Sequence, residues 1–113
     1  MLDGRLLVDA HIHLARLPTL KTRWDSWVIG RRADGDPLDV YDEEGTAVPE
    51  RFSAFLEREG VDCGILISEY SPRVTGIQAI EDMVEVARHD PVRIRFTAAL
   101  NPHLHHPIAA ELE

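Results

Sequence analysis

An α/β fold, in which parallel strands alternate with helices, is predicted by three features of this sequence. Short apolar runs and amphipathic helical patterns follow one another three times along the chain, the order of βαβ units packed around a parallel sheet. The first run, Leu6 to His13, is almost unbroken in apolar character, with its polar groups gathered at its C-terminal end, which suits a strand buried on both faces. Hydrophobic residues make up 44% of the chain and charged residues 28%, enough apolar material for a packed core and too much for global disorder.

The first strand is expected over 6–13, bounded by Asp3-Gly4 before it and Pro18 after it. Strict alternation puts Leu6, Val8, Ala10 and Ile12 on one face and Leu7, Asp9, His11 and His13 on the other. Residues 15–48 follow no period and read as an extended loop after strand 1, with turn signals at Asp34-Gly35-Asp36-Pro37 and Glu44-Gly45. Loops this long are functional or disordered. Trp24, Trp27 and Tyr41 speak against disorder, so a substrate-covering loop is the preferred reading, with packing as the bland alternative for the tryptophans.

The first helix opens at Pro49, carries Phe52, Phe55 and Leu56 on its apolar stripe and closes at Gly60. The second strand runs over 61–67, followed by a loop at Glu69-Tyr70-Ser71-Pro72. The second helix is expected over 75–89, capped by Thr75 and stopped by His89-Asp90-Pro91. A third strand over 94–100 turns at Asn101-Pro102, and a third helix starts near Pro107. The sequence stops at Glu113 within that helix, which leads us to expect a portion of a larger fold.

A formal charge of −8 excludes a nucleic-acid partner whose phosphates need neutralising. No apolar run approaches the roughly 20 residues of a membrane span, and Met1-Leu2-Asp3-Gly4-Arg5 lacks the pattern of a secretory signal. No membrane association and a cytoplasmic location are therefore expected. Cys63 is the single cysteine and reads as a buried structural thiol.

The chemistry concentrates in Asp9-Ala10-His11-Ile12-His13. Residues two apart on a strand share a face, with backbones about 6.6 Å apart, so two imidazoles there are able to converge on one divalent ion at about 2.0–2.1 Å. An isolated His-x-His is common by chance. This one ends the first strand of an α/β pattern, where barrel enzymes build their sites. Asp9 is a candidate to orient a ligand imidazole or a bound water.

The stretch Val8-Asp9-Ala10-His11-Ile12-His13-Leu14 resembles the opening strand of the amidohydrolase superfamily. Within it, the chain is similar to the amidohydrolase-related branch that includes aminocarboxymuconate-semialdehyde decarboxylase and the 2-pyrone-4,6-dicarboxylate hydrolases. Glu57-Arg58-Glu59-Gly60-Val61-Asp62 resembles that branch's first helix-to-strand junction, and Ala98-Ala99-Leu100-Asn101-Pro102 the end of its third strand. The resemblance implies that residues 1–113 are the N-terminal portion, about three βα units, of a (β/α)8 TIM barrel, a fold of about 250 residues. It also implies a divalent metal, usually zinc, held by His11 and His13. Further histidines from middle strands and a last-strand aspartate acting as general base would lie beyond Glu113.

Glu69 and Tyr70 at the end of strand 2, and His103 after strand 3, are further candidates for substrate or ligand-orienting contacts, with ordinary loop roles as the alternative. Arg31-Arg32 offers a site for a carboxylated substrate, or a solvated charge pair. Ser71 and Thr75 have no recognisable partner base. The expected function is metal-dependent hydrolysis of an amide, ester or lactone in a small molecule. This fragment alone is expected to be inactive, because two histidines leave zinc short of ligands. Decarboxylation of an aromatic or enoic acid on the same fold is the alternative. A small non-catalytic α/β binding domain is the alternative from another class. Open sheet edges also invite association into a homo-oligomer.

Overall fold

A computed structural model describes residues 3–21 and 37–111. Its strands are β1 (Val8–Ile12), β2 (Cys63–Ile67), β3 (Glu69–Ser71), β4 (Gly76–Gln78) and β5 (Ile94–Thr97). Its helices are α1 (Pro49–Arg58), α2 (Ile80–His89) and the single turn α3 (Ile108–Glu111). Strands β1, β2 and β5 form a parallel sheet in that spatial order, while β3 and β4 pair as an antiparallel hairpin. The chain is thus a small mixed α/β domain with a three-stranded parallel sheet, and α1 and α2 are the helical connections between its strands.

Helix α1 forms where the sequence marks it. Val48 is extended at the N-cap and Pro49 takes the first helical position, where a missing N–H costs nothing. Phe52 and Leu56, four residues apart, are buried on one face. Gly60 ends the helix at φ +72°. Its N–H reaches the Glu57 carbonyl, and Val61 N–H reaches that of Leu56. These two bonds satisfy carbonyls that the helix end would otherwise leave unpaired.

Helix α2 starts five residues later than the spacing suggests, which corrects the expected span of 75–89. Residues 76–78 pair with 69–71 instead, and Gly76 at φ +116° is incompatible with a helix. Thr75 therefore caps nothing. The N–H of Ile80, the first helical residue, is accepted by the Tyr70 hydroxyl at 3.2 Å.

Phe52 and Leu56 from α1, Met83, Val86 and Ala87 from α2, and Leu66 and Ile94 from the sheet make one buried cluster with Leu14 and Val40. Burying each large side chain of this kind contributes about 1.5–3 kcal/mol. In β2, Gly64 and Leu66 are buried while Cys63, Ile65 and Ile67 stay half-exposed, so both helices cover one face of the sheet. The expectation of a first strand buried on both faces is corrected accordingly. Leu6 is 71% exposed and Val8 48%, because β1 is an edge strand covered on one side. Cys63 is half-buried rather than enclosed.

Strand β5 ends at Thr97, three residues short of expectation, because its partner β2 ends at Ile67. Ser68, 2% exposed, takes over there. Its hydroxyl oxygen accepts the Ala99 N–H at 2.7 Å.

Both described ends of the long excursion pack into the domain. Leu14, Ala15 and Val40 are buried, Leu17 N–H binds the Gly45 carbonyl at 2.8 Å, and Tyr41 bridges Ala47. Trp24, Trp27, Arg31, Arg32 and the Asp34-Gly35-Asp36 turn, with the rest of 22–36 in the expected covering loop, lie outside the described residues. Among the described residues no helix is long and apolar enough to cross a membrane.

Candidate metal centre

The register between β1 and β2 decides where the histidines point. Val8 lies beside Cys63, Asp9 beside Gly64 and Ile12 beside Leu66. Three residues advance on β1 while two advance on β2, so β1 carries one extra residue, a β-bulge, between Asp9 and Ile12. Ile12 thereby joins Leu66 on the helix-covered face and packs against the core. Its neighbours His11 and His13 fall on the open face, at the C-terminal end of the strand, and both are exposed. Without the bulge Ile12 would share the face of Val8. The strict alternation of faces expected from the sequence is corrected by this offset. Asp9 is not on the histidines' face, and its Oδ1 accepts the His11 backbone N–H at 3.1 Å, which pins the bulge.

The two imidazoles meet edge to face, with centroids 4.9 Å apart and planes at 64°. Their Nε2 atoms are 2.9 Å apart. An ion at about 2.0–2.1 Å from each nitrogen would see them at about 90°, and a tetrahedral angle would need them about 0.4 Å further apart. By this separation the pair fits a divalent ion as two imidazole ligands once the nitrogens part slightly. It also fits a direct N–H···N hydrogen bond between the rings. Among the described residues no group of three or more His, Cys, Asp or Glu is arranged to hold a metal, so the remaining ligand positions are not supplied there.

His13 is oriented from behind. Its Nδ1 lies 3.1 Å from Gln78 Oε1, and Gln78, on β4, is 5% exposed. Gln78 Nε2 donates to Glu69 Oε2 at 3.3 Å, and the Thr75 hydroxyl donates to Glu69 Oε1. The β3–β4 hairpin that carries these residues is tied to the segment just after His13. Leu20 bridges Gly76, Lys21 N–H binds the Thr75 carbonyl at 2.9 Å, and the Thr19 hydroxyl donates to the Ile77 carbonyl at 2.5 Å. Gly76 makes this crossing possible, since a Cβ there would lie 2.2 Å from the Thr19 carbonyl oxygen.

Of the other candidates, Glu69 joins the His13 constellation through Gln78. Tyr70 stands apart from it: its hydroxyl serves the α2 N-terminus, and its ring packs edge-on against His105 at 4.6 Å. His103 is exposed and borders a cleft of about 420 Å³ with Arg73, Val74, Asn101 and Leu104. Its backbone N–H, rather than its ring, is engaged, donating to Asn101 Oδ1. His105 Nδ1 accepts the Asn101 N–H at 2.9 Å, so the His105 ring closes a turn. Gln78 and Gly76 are the site residues that the sequence does not announce. The available signal was a glycine inside an apparent helical pattern, which marks a break as readily as it tolerates one.

Comparison with protein-family models, with curated proteins and with solved structures finds no match for this chain.

Proposed function

We propose that this chain contributes the first-strand ligand pair of a metal-dependent hydrolase of the amidohydrolase kind, acting on an amide, ester or lactone bond of a small molecule. The observation that carries the proposal is the convergence of His11 and His13 Nε2, 2.9 Å apart, at the C-terminal end of β1. In this reading the three parallel strands, which lie side by side in the order they occur along the chain, are the opening of a (β/α)8 barrel. A sheet covered by helices on one face, with Val8, Ile65 and Ile67 partly exposed on the other, supports it, since barrel strands turn that second face to the barrel interior.

His11 and His13 would hold the ion, with zinc the expected metal. The chemistry supplied by such an ion would be Lewis acidity, activating water near neutral pH and polarising the scissile carbonyl. The chain's own residues set the geometry. Asp9 fixes the bulge that turns both rings to the open face, and Gln78 holds the His13 ring. The further ligands and the general base belong to residues other than those described.

The competing reading is a non-catalytic α/β domain in which the two rings bond only to each other, and the short nitrogen separation favours it as well. Calorimetric titration of the chain with Zn2+, beside His11→Ala and His13→Ala, separates the two. The proposal expects one equivalent bound by the parent chain and loss of binding in both variants. Absence of binding by the parent chain, or undiminished binding in the variants, would reject it. Esterase and lactonase turnover by the chain alone is expected to be negligible, because two ligands leave the ion incompletely held.

A further inference from the structure

We infer that Gln78 is a positioning residue that fixes His13 as its Nδ1–H tautomer, and that Glu69 and Thr75 fix Gln78 in turn. The functional consequence rests on the metal-centre reading above; the tautomer itself does not.

The two oxygens of Glu69 face two donors, the Thr75 hydroxyl on Oε1 and Gln78 Nε2 on Oε2. A carboxylate only accepts, so the Gln78 amide must turn its NH2 toward Glu69. The flipped amide would set carbonyl oxygen against carboxylate oxygen at 3.3 Å. With the NH2 committed, Oε1 faces His13 Nδ1 at 3.1 Å. An amide oxygen only accepts, so Nδ1 must carry the proton. His13 Nε2 is then left with a free lone pair pointing at the His11 Nε2 position, 2.9 Å away.

Gln78 is enclosed, and the hairpin under it is anchored to residues 19–21, so the relay is held by backbone as well as side chains. His11 has no such partner among the described residues, and its ring is exposed. The two imidazoles are therefore unequal. In the ion-free chain His11 donates its Nε2–H to His13. To present two lone pairs to a cation, only the His11 proton has to move, to the Nδ1 of that exposed ring. A hydrogen bond of this kind on the non-ligating nitrogen fixes ring orientation and tautomer, and its loss weakens metal affinity by about 10–100-fold.

Long-range 1H–15N spectra of the metal-free chain at pH 8 read the tautomer directly, and Zn2+ titration reads the affinity. His13 is expected as Nδ1–H in the parent chain and as predominantly Nε2–H in Gln78→Leu, with Zn2+ affinity about 10–100-fold weaker in that variant. Glu69→Ala, which leaves every His13 contact in place but frees the Gln78 amide to flip, is expected to give a mixture of tautomers. It keeps the test valid if Gln78→Leu fails to fold. A parent chain with His13 as Nε2–H, or variants that retain both the Nδ1–H form and full Zn2+ affinity, would overturn the inference. The expected parent tautomer without any Zn2+ binding would support the relay while rejecting the metal-centre reading.

Discussion

Replacing Gly76 by alanine tests how the site is assembled without touching any of its functional groups. The glycine has φ +116°, a region that costs an L-residue about 1–3 kcal/mol. The added Cβ would lie 2.2 Å from the Thr19 carbonyl oxygen and 2.9 Å from Leu20 Cα, and both obstacles are backbone. Thr19 is fixed by the turn Leu17–Thr19, which Leu20 N–H closes on the Leu17 carbonyl, so relief requires residues 19–21, the strap over the hairpin, to lift off it. Overpacking of this kind adds about 1–3 kcal/mol, giving about 2–6 kcal/mol in all. Gly60→Ala is the control. It has φ +72° with nothing within 4 Å of the new Cβ, so it pays only the left-handed conformation, about 1–2 kcal/mol. Urea unfolding followed by far-ultraviolet circular dichroism, with unchanged m-values, reads the difference. Gly76→Ala is expected to be the more destabilised by about 2 kcal/mol. It should also separate His13 from Gln78 and weaken Zn2+ binding, while Gly60→Ala leaves binding intact. Equal midpoints for the two variants would refute the claim that the strap and hairpin are locked through Gly76.

Three further outcomes follow from the packing and the charges. Leu66, fully buried between the helices and the sheet, should cost about 2–5 kcal/mol when replaced by alanine, measured by the same unfolding curves. Burial pushes the Tyr41 phenol up to about 12, so the unfolded chain releases this proton first; stability should fall as pH rises from about 10 to about 12, by up to about 3 kcal/mol, and Tyr41→Phe should abolish that slope. Asp62 is held below the usual carboxylate range, chiefly by the Leu7 N–H that its Oδ2 accepts at 2.9 Å. Its contribution is present above the unfolded pKa and lost as pH falls through the folded one, so Asp62→Asn should flatten the acid limb of the stability profile, and an unchanged limb would contradict the assignment.

The parts of the fold that were legible in the sequence are those with local causes. Pro49, Phe52, Leu56 and Gly60 specify α1 by cap, stripe and terminator, and the apolar runs before Ser68 and after Arg93 specify two of the parallel strands. The start of α2 was not legible, because Ile77, Ile80 and Val84 fit a helical stripe whether or not the first of them is helical. What excludes Ile77 is the pairing of 69–71 with 76–78, which is a property of two segments. Nor could alternation alone assign the faces of β1. A bulge is an offset between neighbouring strands, and one extra residue reverses every side chain beyond it. The histidine pair could be read because its members are two residues apart. Gln78, 65 residues from His13, becomes its neighbour only once the hairpin and the strap at 19–21 have met.

The central claim, that His11 and His13 share one divalent ion through their Nε2 atoms, is tested most directly by anomalous diffraction at the zinc edge from crystals of the chain grown with Zn2+. A peak about 2.0–2.1 Å from both nitrogens is expected, with the Gln78 contact to His13 Nδ1 retained. A map with no peak at the pair, and the two rings still hydrogen-bonded to each other, would contradict it.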